Sequence, residues 1–323
     1  MTPGAWILSL HREILLNMNE NFILRSRYDA LGVSMLVTRP DVADDTVAVL
    51  QLAHGMRGCK ERFLPFMEYM SMHGVACVAN DHRGHGASVR SAKDRGYMYS
   101  GGYPALVDDM KKVNEWAHSA FPGQPVFLLG HSMGSLAVRT FMKTHDDSVD
   151  GIFICGSPSY NPMAPFMYRF AGFLSLFKEG RMRPRLIQNM TSRMYNRRFS
   201  SEGRNAWTCS DASVRKMFAE NPSCNFHFTA NALLALFGMM KETYSAEGWH
   251  VTNPDLPVYF ISGGDDPCMR NESEFHKSAQ LMADLGYLDV SSAIYPGMRH
   301  EVLNEIGKED VWEDVLAHIL SKH

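Results

Sequence analysis

Short apolar runs alternating with longer segments of helical period constrain this chain more than any other feature of its sequence. Residues 47–53 (VAVLQLA) stop at His54-Gly55, and residues 74–79 (GVACVA) stop just before Asp81. Short β-branched or apolar runs closed by polar or glycine residues read as buried strands. Between them Phe63, Phe66, Met67 and Met70 recur at three- and four-residue spacing, which marks one face of a helix. Strand, helix, strand requires a crossover and hence a parallel pair. The alternation continues with helix 103–117, strand 126–129, helix 133–142 and strand 149–155. After a gap come strand 258–262, helix 271–285, strand 290–295 and a helix from about 308 to 320. Repeated units of this kind predict an α/β fold: a mostly parallel sheet with helices on both faces.

The gap itself is informative. The 101 residues from 156 to 256 are too many for a structureless loop inside a compact domain. An inserted helical cap at 156–256 is therefore expected, with the core formed by 1–155 and 257–323. The insertion is rich in phenylalanine and methionine, including Phe166, Met167, Phe170, Phe173, Phe177, Met190, Met194, Phe199, Met217, Phe226, Phe228, Phe237, Met239 and Met240. Helical spacing runs over 165–177 and 230–244, and ordinary burial preferences assign most of these side chains to the insertion's own core.

Composition narrows the function classes. Apolar residues make up 45% and charged residues 21%, as in soluble globular proteins, which excludes disorder. A formal charge of −3 gives no handle for nucleic-acid phosphates, so no nucleic-acid partner is expected. The six cysteines contain no C-x-x-C pair and read as reduced core residues, with neither a zinc site nor a disulfide scaffold. The short apolar run 5–10 is followed at once by His11, Arg12 and Glu13, unlike a secretory signal. No stretch approaches the ~20 apolar residues of a membrane span, and a cytoplasmic protein is expected.

Residues 126–135 place Gly130-His131-Ser132-Met133-Gly134, a G-x-S-x-G pattern, directly after a strand and before a helix. That setting is a nucleophile elbow, in which Gly130 and Gly134 leave room for a tight turn and Ser132 is exposed above the sheet. A serine hydroxyl needs an imidazole to take its proton, and the imidazole needs a carboxylate to fix its tautomer. The expected chain order is Ser, then acid, then His. Strand 258–262 is followed by Gly263-Gly264-Asp265-Asp266, and strand 290–295 by Pro296-Gly297-Met298-Arg299-His300. Both groups lie past the carboxyl ends of strands, where α/β sites form. His300 is the predicted base and Asp266 the predicted acid, with Asp265 and, more remotely, Asp289 as alternatives. Two backbone N–H groups must stabilise the oxyanion; Met133, which follows the nucleophile, and Met56, in the loop after strand 47–53, are the predicted donors. Asp81-His82-Arg83-Gly84-His85-Gly86 matches no zinc spacing and reads as a structural loop bracing the site.

Taken together, these motifs resemble the monoacylglycerol lipase and lysophospholipase branch of the α/β-hydrolases, which also includes serine aminopeptidase-like members. The likeness runs over roughly residues 25 to 320. It implies the α/β-hydrolase fold, a mobile helical cap between the sixth and seventh strands, and an S-G-x-x-D pattern that falls on Asp266. Three departures stand out: Arg57-Gly58-Cys59-Lys60 where the family usually carries Glu-His, Ser135 for a customary third glycine, and Met269 where valine is common.

The expected activity is cofactor-independent, metal-free hydrolysis of carboxylic esters through an acyl-enzyme. Monoacylglycerols or lysophospholipids are the expected substrates, because a Phe- and Met-rich cap suits an acyl chain. An amidase or aminopeptidase using the same groups, or a non-catalytic ligand-binding protein on the same fold, are the rivals. Residues 156–204 carry nine basic side chains (Arg169, Lys178, Arg181, Arg183, Arg185, Arg193, Arg197, Arg198, Arg204) against Glu179 and Glu202. Such segregation reads first as a solvated face, yet a basic cap over a lipid-ester site is where an anionic membrane surface would be met.

Overall fold

A computed structural model of the chain describes residues 19–42 and 45–321, so the apolar run at 5–10 lies outside the described residues. The strands are β1 (Asn19–Arg25), β2 (Gly32–Thr38), β3 (Ala48–Ala53), β4 (Val75–Asn80), β5 (Val126–His131), β6 (Gly151–Cys155), β7 (Val258–Gly263) and β8 (Val290–Tyr295). They form one sheet in the order β1-β2-β4-β3-β5-β6-β7-β8. Pairing is antiparallel at β1–β2 and β2–β4 and parallel from there to β8. The alternating runs predict six of these strands to within about two residues at each end. They do not predict the β1–β2 hairpin, whose edge strand NENFILR is mostly half-buried or exposed and lacks a continuous apolar run.

The helices are α1 (Leu64–Met72), α2 (Gly102–Ala120), α3 (Met133–His145), α4 (Ala164–Ser175), α5 (Arg185–Asn196), α6 (Ala212–Glu220), α7 (Ala230–Thr243), α8 (Glu272–Leu285) and α9 (Lys308–Leu320). One layer packs Phe66, Met67 and Met70 of α1 with Val315 and Ile319 of α9 over Leu50, Leu52 and Leu129. The opposite layer packs Leu106 and Met110 of α2, Leu136 and Phe141 of α3 and Phe275 and Met282 of α8 over Leu128, Ile152 and Phe260. Both sheet faces are therefore covered, which is why the central strands read as continuous apolar runs rather than alternating ones. Each fully buried leucine, phenylalanine or methionine contributes about 1.5–3 kcal/mol. Among the described residues, no helix is long and apolar enough to cross a membrane. All six cysteines are buried free thiols.

Helices α4 to α7 lie between β6 and β7, where the insertion is expected. Helix α7 joins the second core layer through Ala232, Leu233, Ala235 and Met239. The expectation that most of the insertion's Phe and Met side chains form its own core holds only in part. Phe199, Phe228 and Met239 are buried and Met167, Phe170, Phe226, Phe237 and Met240 half-buried, but Phe166, Phe173, Phe177, Met190, Met194 and Met217 are exposed. The cause is local: α4 fully buries only the small residues Ala164 and Ala171, leaving Phe166 and Phe173 exposed and Met167 and Phe170 half-buried, and α5 fully buries no residue.

Candidate active site

Ser132 sits between the end of β5 and the start of α3 with φ 55° and ψ −117°, a conformation that non-glycine residues rarely adopt. The surrounding backbone leaves no room for side chains. A Cβ on Gly130 would lie 2.4 Å from the Gly134 carbonyl oxygen, and one on Gly134 would lie 2.0 Å from that of Ala53. Ser135, which replaces a customary glycine, is fully buried and donates its hydroxyl to the Ser132 carbonyl at 2.5 Å, so the departure adds a brace to the turn.

His300 Nε2 stands 2.8 Å from Ser132 Oγ, and His300 Nδ1 stands 2.9 Å from Asp266 Oδ2. The second Asp266 oxygen accepts the Cys268 amide at 2.8 Å. With Nδ1–H donated to a carboxylate, Nε2 carries a lone pair and faces the serine hydroxyl as an acceptor. Asp266 and His300 are buried, at 3% and 4% exposure. Asp265 instead points outward to Arg198 at 2.8 Å. Asp289 precedes β8, a strand's length from the end that leads to His300, and its carbonyl accepts the Val258 amide. Behind the array, His131 Nε2 donates to the His300 carbonyl at 3.0 Å. Burial, then the neighbouring His300, push the His131 pKa down to about 3, so this ring is a neutral donor.

The loop after β3 turns tightly at residues 55–58: the Gly58 amide donates to the Gly55 carbonyl and Arg57 takes φ 63°. Among the described residues, neither the Met56 nor the Met133 amide donates to a protein acceptor, and the Met133 amide is one of the free N–H groups opening α3. His54 fixes this loop. Its Nδ1 donates to the Gly55 carbonyl at 2.8 Å and its Nε2 accepts the His82 amide at 3.0 Å. His82 and His85 pack around it, and burial lowers the pKa of all three rings, that of His85 to about 4. Asp81 accepts the Lys60 ammonium at 2.9 Å and the Lys60 and Ala87 amides. Buried Arg83 reaches Asp109 at 2.9 Å and the Met98 and Ser100 carbonyls. The segment 81–86 is thus a brace, as the sequence reads.

The insertion supplies a contact that sequence reasoning missed. The Trp207 ring lies 5.1 Å from that of His300, and Tyr195 lies 5.0 Å behind Trp207. Trp207 follows no helical or strand period, so its only signal was a large aromatic in an irregular stretch. Around it the insertion grips the loops that carry the array. Besides Arg198–Asp265, Arg299 pairs with Glu202 at 2.7 Å, and the Glu301 amide donates to the Thr208 carbonyl at 2.8 Å. Buried Glu305 accepts the amides of both Ser210 and Arg299.

Asp266, Cys268 and His300 are the described group whose ligand atoms come within 4.8 Å of one another. Burial, reinforced by Asp266, raises the Cys268 thiol well above its ordinary value, and a metal would need the thiolate. Both Asp266 oxygens already accept hydrogen bonds, so the donor set suits a carboxylate–imidazole pair better than a metal. Such an array can take the proton of a serine hydroxyl and hold the resulting imidazolium against a carboxylate.

A family model described as serine aminopeptidase, S33, matches residues 44–307. Over 310 residues the chain is 25% identical to a monoacylglycerol lipase of Mycolicibacterium smegmatis, covering 92% of this chain and 98% of that protein. It is 32% identical to phospholipase YtpA of Bacillus subtilis over 114 residues, 35% of this chain and 41% of that one. Among solved structures, a thermostable carboxyl esterase from Bacillus coagulans superposes with a TM-score of 0.84 at 23% identity, covering 94% and 98% of the two chains. A soluble variant of monoglyceride lipase from Saccharomyces cerevisiae gives 0.72 at 17% identity, covering 94% and 97%. At these identities the structures establish the fold, which is that of the α/β-hydrolases.

Proposed function

Since the chain belongs to the serine aminopeptidase S33 family, we propose that it hydrolyses single-chain lipid esters such as monoacylglycerols or lysophospholipids through an acyl-enzyme. It is a carboxylic ester hydrolase, and the assignment of roles within it is our reading. Ser132 attacks the ester carbonyl while His300 takes its proton and later returns it to the leaving alcohol. Asp266 holds the His300 tautomer and offsets the imidazolium charge. The amides of Met56 and Met133 donate to the oxyanion, and water then frees the acid. The observation that carries this reading is the continuous hydrogen-bonded run from Ser132 Oγ through His300 to Asp266, at 2.8 and 2.9 Å. No cofactor has a part in it.

The segment 156–256 serves in this reading as the cap that receives the acyl chain and meets the lipid surface. Two observations support that role. Helix α4 and the residues flanking it expose Met163, Phe166, Phe173, Leu176 and Phe177, and α5 exposes Leu186, Met190 and Met194. Around them, exposed Arg169, Lys178, Arg185, Arg193, Arg197 and Arg204 have no carboxylate partner among the described residues. Each cation near an anionic membrane contributes about 1 kcal/mol.

A fluorophosphonate probe that labels the protein but not Ser132→Ala, followed by p-nitrophenyl esters of graded length and amino-acid anilides, tests the assignment. Turnover should persist or rise beyond acetate, each buried methylene adding up to about 0.8 kcal/mol. A sharp optimum at acetate, or preference for the anilides, would replace the lipid ester with a small ester or an amide. Co-sedimentation with neutral and anionic vesicles at low and raised salt tests the surface role, and equal binding to both would reduce the arginines to a solvated face.

A further inference from the structure

Cys59 and Cys224 meet across the boundary between core and insertion. Cys59 follows the turn that carries Met56 and precedes the single 3-10 turn Lys60–Phe63. Cys224 lies in the tight turn between α6 and α7, 165 positions away. Their sulfurs are 3.7 Å apart, and the two residues are 1% and 0% exposed. The contact is held from both sides: Arg57 Nε donates to the Cys224 carbonyl at 3.1 Å, and Asn221 Nδ2 stands 3.9 Å from Cys59 Sγ. A disulfide is ~2.04 Å long, so from 3.7 Å the sulfurs have about 1.7 Å to close.

The two thiols are not equivalent. The Cys59 contact, with Arg62 and Arg57 nearby, lowers the Cys224 pKa, whereas the Cys224 contact and burial raise that of Cys59, and either sulfur can donate to the other. The other four cysteines are all raised, chiefly by burial, Cys209 to about 12. Thiolate character, which sets reactivity toward oxidants, is therefore greatest within this pair, beside Arg62 and Arg57.

We propose that Cys59 and Cys224 form a redox-modification site, which a peroxide converts to a disulfide that staples the insertion to the Met56 loop and a dithiol reverses. The Cys224 thiolate attacks one peroxide oxygen, the O–O bond breaks, and with one proton the departing oxygen leaves as water, giving a sulfenic acid. The Cys59 sulfur then attacks the Cys224 sulfur, the S–O bond breaks, and the hydroxyl leaves as water with the Cys59 proton. Two thiols and one peroxide become one disulfide and two waters, with two electrons passing from the sulfurs to the peroxide. At 1% and 0% exposure the pair takes a small oxidant, of the peroxide class, and a small dithiol as its reductant.

The cross-link stands on geometry alone, while its effect on turnover rests on the role proposed for Met56. Full-length protein is treated with hydrogen peroxide and mapped by non-reducing peptide mass spectrometry, before and after dithiothreitol. The expected result is a peptide pair joined through Cys59 and Cys224 that dithiothreitol removes and that is missing from Cys59→Ser and Cys224→Ser. Oxidation should change turnover of p-nitrophenyl butyrate at least threefold in the parent protein and in neither variant. Free thiols at both positions after treatment, or Cys224 driven to a sulfonic acid with Cys59 still free, overturns the site. A joined pair with unchanged turnover overturns the stapling of the Met56 loop. If the protein lacked esterase activity altogether, the peptide map would still decide the cross-link.

Discussion

Replacing Asp266 by asparagine removes one charge and almost no volume, yet the geometry makes it severe. Two donors converge on the carboxylate, the His300 Nδ1–H at 2.9 Å on one oxygen and the Cys268 amide at 2.8 Å on the other. Asparagine offers one acceptor and one donor. If its oxygen keeps the Cys268 amide, its NH2 faces Nδ1 and forces the proton to Nε2, where it confronts the Ser132 hydroxyl. If it flips, two N–H groups oppose each other in a site that is 3% exposed. The first orientation removes the base for Ser132, and the second keeps it only by opposing the NH2 to the buried Cys268 amide; where the first prevails, loss of the correct tautomer costs about 10⁴ in kcat, or about 5.5 kcal/mol. Asp265→Asn is the control. It breaks an ion pair with Arg198 whose partners are 30% and 70% exposed, worth about 0–1 kcal/mol and so less than about fivefold. Steady-state hydrolysis of a p-nitrophenyl ester, with circular dichroism to verify folding, measures both. Crippled Asp265→Asn beside near-normal Asp266→Asn would refute the tautomer argument and the choice of acid together.

Gly134→Ala should destabilise the protein by several kcal/mol, since its Cβ would lie 2.0 Å from the Ala53 carbonyl oxygen, whereas Gly203→Ala meets open space and should cost only the backbone strain of φ 99°, about 1–3 kcal/mol; urea midpoints compare the two. Trp207→Ala should lower kcat/KM about 3- to 10-fold by removing the ring packed on His300, with Trp207→Phe restoring most of it, and an unchanged alanine variant would make Trp207 a bystander. Buried His85 and His131 have folded pKa values of about 4 and about 3, and those of His54 and His82 are also lowered. The unfolded chain, titrating near 6.5, then binds more protons below that pH. Stability is full above about pH 6.5 and falls toward pH 4 by up to about 1.4 kcal/mol per pH unit for each ring. Urea unfolding at pH 7.5, 6 and 5 measures the slope, and a flat profile would mean that these rings are charged or solvated.

The core and the array were legible because both are written in local pattern. A doubly buried strand must be apolar throughout, and an elbow must carry glycine where Cβ atoms collide, so β3 to β8, Ser132, His300 and Asp266 follow from short windows. What the sequence concealed depends on distant surfaces. The β1–β2 hairpin is an edge whose residues are only partly buried, so its pattern is weak. The exposure of Phe166 or Met190 could not be read, because helical period tells that a helix has an apolar face but not whether anything covers it. Trp207 and the Cys59–Cys224 contact join residues far apart in the chain, and nothing in the spacing of either partner names the other.

The grip of residues 198–210 on the loops of Asp266 and His300 bears on how this protein can be rebuilt. Chain connectivity suggests a cassette, severable at 155 and 257 and exchangeable with that of a relative. The anchors lie elsewhere: Asp265 holds Arg198, Arg299 holds Glu202, the Glu301 amide holds the Thr208 carbonyl, and Glu305 holds Ser210. A graft cut at the chain crossings would leave Glu305, 1% exposed, and Arg299, 8% exposed, facing strangers, and an orphaned buried charge costs several kcal/mol. Residues 198–210 and 265–305 should therefore be moved as one block. Chimaeras that move them together should fold, while those that separate them should lose the alignment of His300 before they lose the sheet.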